Sequence, residues 1–132
     1  MLDRLYIAAG FLWLIAGMVF GIWIGINERM NYANSHAHIN LLGFVVPVLF
    51  GIICHTWPAI QERKFAIVQF GLYQLGVVLL IAGKIDADGG GSATLAPPGS
   101  VIVVLATAWM AVMYWRASAA RPAATARISD PV

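Results

Sequence analysis

Apolar residues in this chain fall into four long runs, at positions 5–26, 38–60, 65–83 and 98–115, and polar residues are held to the connections and the two ends. Each run approaches or exceeds the ~20 residues that a helix needs to cross the hydrocarbon of a bilayer. In that medium every backbone N–H and C=O must find its partner within the segment, so the runs are predicted to be helices. The expected fold class is all-α, an integral membrane four-helix bundle occupying residues 1–116. Residues 117–132, rich in Ala, Arg, Pro, Ser and Thr, read as a disordered cytoplasmic tail. The first run has the length of a span rather than the roughly 7–15 residues of a signal-peptide core, and is read as a retained helix.

Composition agrees with the pattern. Of 132 residues 61% are hydrophobic and 11% charged, which lies far from a soluble domain. The net charge of +2 gives no basic patch, and no nucleic-acid partner is expected. The single cysteine, Cys54, excludes a disulfide framework, and the absence of Cys-x-x-Cys-His excludes the usual covalent haem attachment. Orientation follows from the basic residues. Arg4, Arg63, Lys64, Arg116, Arg121 and Arg127 lie on one side of the predicted bundle, and only Arg29 and Lys84 on the other. Both termini are therefore expected in the cytoplasm. A bacterial inner (cytoplasmic) membrane is the expected location, with the start of the second run at its periplasmic face.

Within the runs, Gly17, Gly21 and Gly25 form a doubled small-xxx-small ridge suited to close helix approach. Pro47 is expected to free the carbonyl of Gly43 and bend its helix. Gln69 and Tyr73, four residues apart, are expected to clamp helices together by hydrogen bonds. In the long connection, Asp86-x-Asp88-Gly89 lacks the later ligands of a calcium loop and reads, with Gly90, Gly91 and Ser92, as a flexible link.

The candidate chemistry lies in Ser35-His36-Ala37-His38-Ile39-Asn40. An α-helix turns about 100° per residue, so His36 and His38 point to nearly opposite sides and serve two different neighbours. Ionisable residues inside a membrane are costly and mark function by default. Gly43, seven residues from His36, shares its face and is expected to leave space for a flat macrocycle. Asn40, one turn from His36, is placed to donate to a propionate or to support the ligand. His55 is about 25 Å further along the axis, at the opposite boundary, and reads as interfacial.

His36-Ala37-His38 followed by Ile39-Asn40-Leu41-Leu42-Gly43-Phe44 resembles the His-x-His helix of the haem–copper oxidase superfamily, found in subunit I of cytochrome c oxidases and nitric oxide reductases. The likeness covers about ten residues closely and the four-helix outline loosely. In that family the first histidine ligates the high-spin haem and the second the low-spin haem, from opposite sides of one helix. The family's subunit has twelve helices in three four-helix arcs, so the resemblance implies one arc per chain and a homotrimer that rebuilds the ring. The three further copper-ligating histidines and the cross-linked tyrosine have no counterpart here, which argues against oxygen or nitric oxide reduction and proton pumping. What remains is one bis-histidine haem b per chain. In a closed ring each boundary would receive His36 from one copy and His38 from the next. With both axial positions filled, electron transfer is the expected role, with Asn40 or Tyr32 tuning the site. The donor and acceptor are unidentified, quinol or a cytochrome being the classes considered, and membrane lipid is the remaining partner. Two other readings stand beside this one: copper held by the histidines with Met30 and Met18, and a cofactor-free structural subunit.

Overall fold

A computed structural model describes residues 1–62 and 64–119 of the chain. Among these residues the structure is helical throughout, with no strand, and four helices are long and apolar enough to cross a membrane. They are α1 (Leu2–Ile26), α2 (Met30–Thr56), α3 (Ala66–Asp88) and α4 (Ala96–Ala119). The helices overrun the apolar runs at several ends, because hydropathy marks the hydrocarbon whereas backbone hydrogen bonding continues to the first breaker. Thus α3 continues five residues past Gly83 to Asp88 and stops at Gly89, before Gly90 takes a φ of +89°. At the start of α4, Pro97 and Pro98 occupy the first turn, where a missing N–H costs nothing. At the other end, α2 stops at Thr56, short of the expected 60, because Trp57 precedes Pro58 and is pushed out of helical conformation. A short 3-10 turn, Pro58–Ile60, follows. Since α4 runs through Ala119, residues 117–119 of the expected tail are helical. The rest of that tail, together with Arg63, Arg121 and Arg127 from the orientation argument, lies outside the described residues.

α2 is not uniform. It begins with a 3-10 turn at Met30–Tyr32, is α-helical over Ala33–His38, widens to a π-helix over Ile39–Val45 and returns to α over Val46–Thr56. The Val46 N–H bonds to the Leu41 carbonyl, five residues back. In that register the next carbonyl, Leu42, would look to Pro47, which has no N–H to give. The Tyr73 hydroxyl of α3 donates to the Leu42 oxygen at 2.9 Å instead. The disturbance expected at Pro47 is thus expressed one turn earlier as a π-widening, and the carbonyl satisfied from outside is Leu42 rather than Gly43.

α1 packs on α2 and α3 on α4, with α3 also reaching α1 and α2. α3 is the central helix: 44% of its apolar window is buried, against 17% for α1. Tyr6, Phe50, Phe70 and Tyr73 form an edge-to-face aromatic core, with ring centroids 4.8–5.6 Å apart. Inside it, the fully buried Gln69 accepts from the Tyr6 hydroxyl and donates to the Ala106 carbonyl at 3.0 Å, tying α3 to α1 and α4. Gln69 and Tyr73 therefore do form the expected clamp, each to different helices. The outward faces are apolar, as Leu12, Ile15, Val19 and Ile22 on α1 illustrate.

Candidate functional site

The α-helical opening of α2 carries the histidines, and its N-terminus is held from outside. Asp88, the last residue of α3, accepts from the Ser35 backbone N–H at 3.1 Å and from the Ser35 hydroxyl at 2.6 Å, both at Oδ2. Its other oxygen takes Lys84 Nζ at 3.3 Å, and its carbonyl takes the Asn31 amide at 2.6 Å. A carboxylate at a helix N-terminus satisfies an amide that has no partner within the helix and favours the helix dipole. Here it comes from another helix, so one residue both starts α2 and locks it to α3. Ser35 is completely buried as a result. We expect Asp88→Ala to lower stability by about 1–2 kcal/mol, with faster hydrogen exchange at the amides of residues 33–38. Asp88→Asn, which keeps one acceptor, should lose less.

The imidazoles diverge. His36 lies against α1, where a Cβ added at Gly21 would meet its Cε1 at 2.7 Å. Asn40 lies one turn further along the same seam, against Gly17. The Asn40 amide donates toward His36 Nε2 at 3.1 Å and to the His36 carbonyl at 3.1 Å. On the other side of the helix, His38 Nδ1 is 2.9 Å from the Asn34 carbonyl. A carbonyl only accepts, so Nδ1 carries a proton, and in the neutral ring Nε2 then keeps its lone pair. Both rings are half-buried.

Two sequence expectations change here. Gly17 and Gly21 are used within the chain, to seat the polar side chains of α2, whereas Gly25 faces nothing within 4 Å. Gly43 also faces α1, yet it leaves no space for a macrocycle: the Trp13 side chain fills it, its Cγ only 2.7 Å from where a Cβ would stand. The Trp13 indole is held there by its N–H, which donates to Gln74 Oε1 at 3.0 Å. Within the single chain, the space beside Gly43 is therefore taken by an indole. Tyr32 packs edge-on to Phe20 and Trp23, with its hydroxyl against Gly89, so its contacts support the helix ends rather than either imidazole.

His55 sits at the opposite end, 79% exposed, with Nδ1 3.1 Å from Asp3 Oδ2. Met18 and Met30 are exposed, and among the described residues no three His, Cys, Asp or Glu side chains converge on a point that could hold a metal. Asp88 and Ser35 are the residues that sequence reasoning missed. The i,i+4 spacing of Lys84 and Asp88 pointed to helix rather than loop, but nothing local linked Asp88 to residue 35. The fold defines the class, a multi-pass helical architecture suited to a membrane. Comparison with protein-family models, curated proteins and solved structures finds no match to this chain.

Proposed function

We propose that this chain is a membrane b-type haem protein that moves electrons, its haem held between copies by His36 of one and His38 of the next. The observation that carries the reading is the state of His38. Its Nδ1 lies 2.9 Å from a backbone carbonyl, and in the neutral ring this leaves the Nε2 lone pair to a ligand, on the side of the helix roughly opposite His36, as an axial imidazole needs. The residues fit such a group on two conditions. The His36 ring must turn out of its seat against Gly21 of its own α1, where a Cβ would meet its Cε1 at 2.7 Å. Asn40 must turn its amide off His36 Nε2, and its second bond, to the His36 carbonyl, keeps it in place when it does. A haem bound by two imidazoles supplies one-electron chemistry with no open position for a gas. The chain's own contribution is to hold the rings on opposite sides of a helix whose start is locked by Asp88, and to keep water from the apolar surfaces around them. Trp13 closing the space beside Gly43 favours a macrocycle at a boundary between copies, and the three-arc outline of the resembled family makes that assembly a homotrimer with one haem per chain. The basic residues favour both termini in the cytoplasm of a bacterial inner membrane, with the histidines at the periplasmic face.

One observation favours a second reading. The seating of His36 and Asn40 on Gly21 and Gly17 is also what a polar helix–helix contact without cofactor would look like. Full-length protein purified after haem-supplemented expression separates the two. We expect a reduced-minus-oxidised spectrum of a low-spin haem b at one haem per chain. One haem per two chains would mean a dimer with the haem on its axis. Absence of a Soret band would sink the proposal in favour of the structural reading, and copper without porphyrin would favour the metal reading.

A further inference from the structure

At the end of the molecule opposite the histidine pair, α3 begins and α4 finishes. There Lys64 and Arg116 line an apolar groove of about 330 Å³, together with Phe65, Trp109 and Val112. A second groove of about 320 Å³ lies on the other flank of α4, lined by Ala111 and Trp115 and by the same Val112 and Arg116. Val112 and Arg116 are one helical turn apart, so they form a ridge with an apolar groove on each side and a guanidinium at its end. Both cations are exposed, and neither takes part in an ion pair among the described residues. The first turn of α3 adds to the positive character of this end. Its N-cap, Phe65, makes no side-chain cap hydrogen bond, and a helix N-terminus carries partial positive charge.

One charge site at the mouth of two adjoining apolar grooves has the shape of a two-chain lipid. The long stems of Lys and Arg lie along apolar surface while their heads stay at the polar boundary, where lipid phosphates are found. Trp109 and Trp115 supply the amphipathic rings that favour the same depth. A zwitterionic headgroup would bring its own cation against Lys64 and Arg116, whereas an anionic headgroup would not. We propose that this is a binding site for one anionic phospholipid, its phosphodiester between Lys64 and Arg116 and its acyl chains in the grooves on either side of the Val112–Arg116 ridge.

The test is native mass spectrometry of the full chain in detergent, titrated with dioleoylphosphatidylglycerol or dioleoylphosphatidylcholine. Wild type should retain one phosphatidylglycerol per chain in preference to phosphatidylcholine. The double variant Lys64→Gln/Arg116→Gln should weaken phosphatidylglycerol retention by roughly thirty-fold, from about fivefold per cation, and leave phosphatidylcholine unchanged. Val112→Trp, at a position exposed to the surroundings and so tolerant of bulk, should weaken retention without any change of charge. Arg4→Gln, an exposed cation at the same end but outside both grooves, should leave it unaltered. Inorganic phosphate at equal ionic strength should not displace the lipid. The proposal is overturned if the two lipids are retained equally, or if the double variant keeps its preference. It is also overturned if Arg4→Gln loses as much as the double variant, or if phosphate alone displaces the lipid.

Discussion

Replacing either His36 or His38 with alanine should abolish the low-spin haem spectrum, and to a similar degree. If each haem takes one ligand from each of two copies, either substitution removes an axial ligand from every haem in the assembly. Both variants should also loosen the oligomer, because the group that bridges copies is held from one side only. The two differ in a second measurement. His36 fills the seam over Gly21 and accepts the Asn40 amide, so His36→Ala leaves a void and an amide with one partner fewer. It should lower the stability of haem-free protein by about 1–2 kcal/mol. Among the described residues His38 bonds to its own helix's Asn34 carbonyl alone, and His38→Ala should leave the haem-free protein nearly as stable as wild type. His55→Ala should change neither spectrum nor assembly. Mixing His36→Ala with His38→Ala chains should restore bis-histidine sites at those boundaries where the intact rings meet. Loss of the spectrum in only one of the two variants would show that the haem is bound within a copy or on a twofold axis, and the shared-boundary reading would fail.

The largest effect on folding should come from glycines that carry no candidate chemistry. A Cβ at Gly99 would stand 2.4 Å from the Leu80 backbone nitrogen and 2.9 Å from the Gly76 carbonyl, and one at Gly83 would stand 2.2 Å from the Ala96 nitrogen. These neighbours are main chain, which cannot rotate away as a side chain can. Gly99→Ala or Gly83→Ala must therefore push α4 away from α3, the central helix. Cores overfilled by a single methyl commonly lose 1–3 kcal/mol, and with rigid neighbours on both sides we expect about 3 kcal/mol or more. Gly21→Ala should cost less, because the atom in its way is an imidazole that can turn. The haem spectrum is then the more sensitive readout for that variant. Gly25→Ala, with nothing within 4 Å, should be neutral or slightly stabilising through its helix propensity. Denaturation midpoints in detergent would rank the four. Equal costs at Gly99 and Gly25 would contradict the packing described for α3 and α4.

Which glycines matter was only half legible beforehand. The regular spacing of Gly17, Gly21 and Gly25 announced a packing face, and two of the three do pack. Their partner is polar, and it comes from the same chain. Gly76 and Gly83, seven apart on one face of α3, and Gly99 on α4 form no small-xxx-small motif, yet the main chains of α3 and α4 approach closely at all three. The same division runs through α2. Pro47 announced a disturbed helix, but where the disturbance settled depended on Tyr73, thirty-one residues away, being able to reach the Leu42 carbonyl.

What the chain's sequence determined by itself is what depends on local period and length. Unbroken apolar runs of about twenty residues read as helices, because a helix satisfies its backbone within one segment whereas barrel strands are about half as long and alternate in character. Two histidines two residues apart must diverge, because the helix turns about 100° per residue. Tertiary structure decided everything that depends on which helix lies beside which. It set Trp13 into the space beside Gly43, His36 and Asn40 over the glycines of α1, and the Asp88 carboxylate at the start of α2. The physical reason is common to all three. A side chain's range is a few ångströms, and the residue that fills or satisfies it is brought there by the path of the whole chain, so no window of sequence around either partner contains the other.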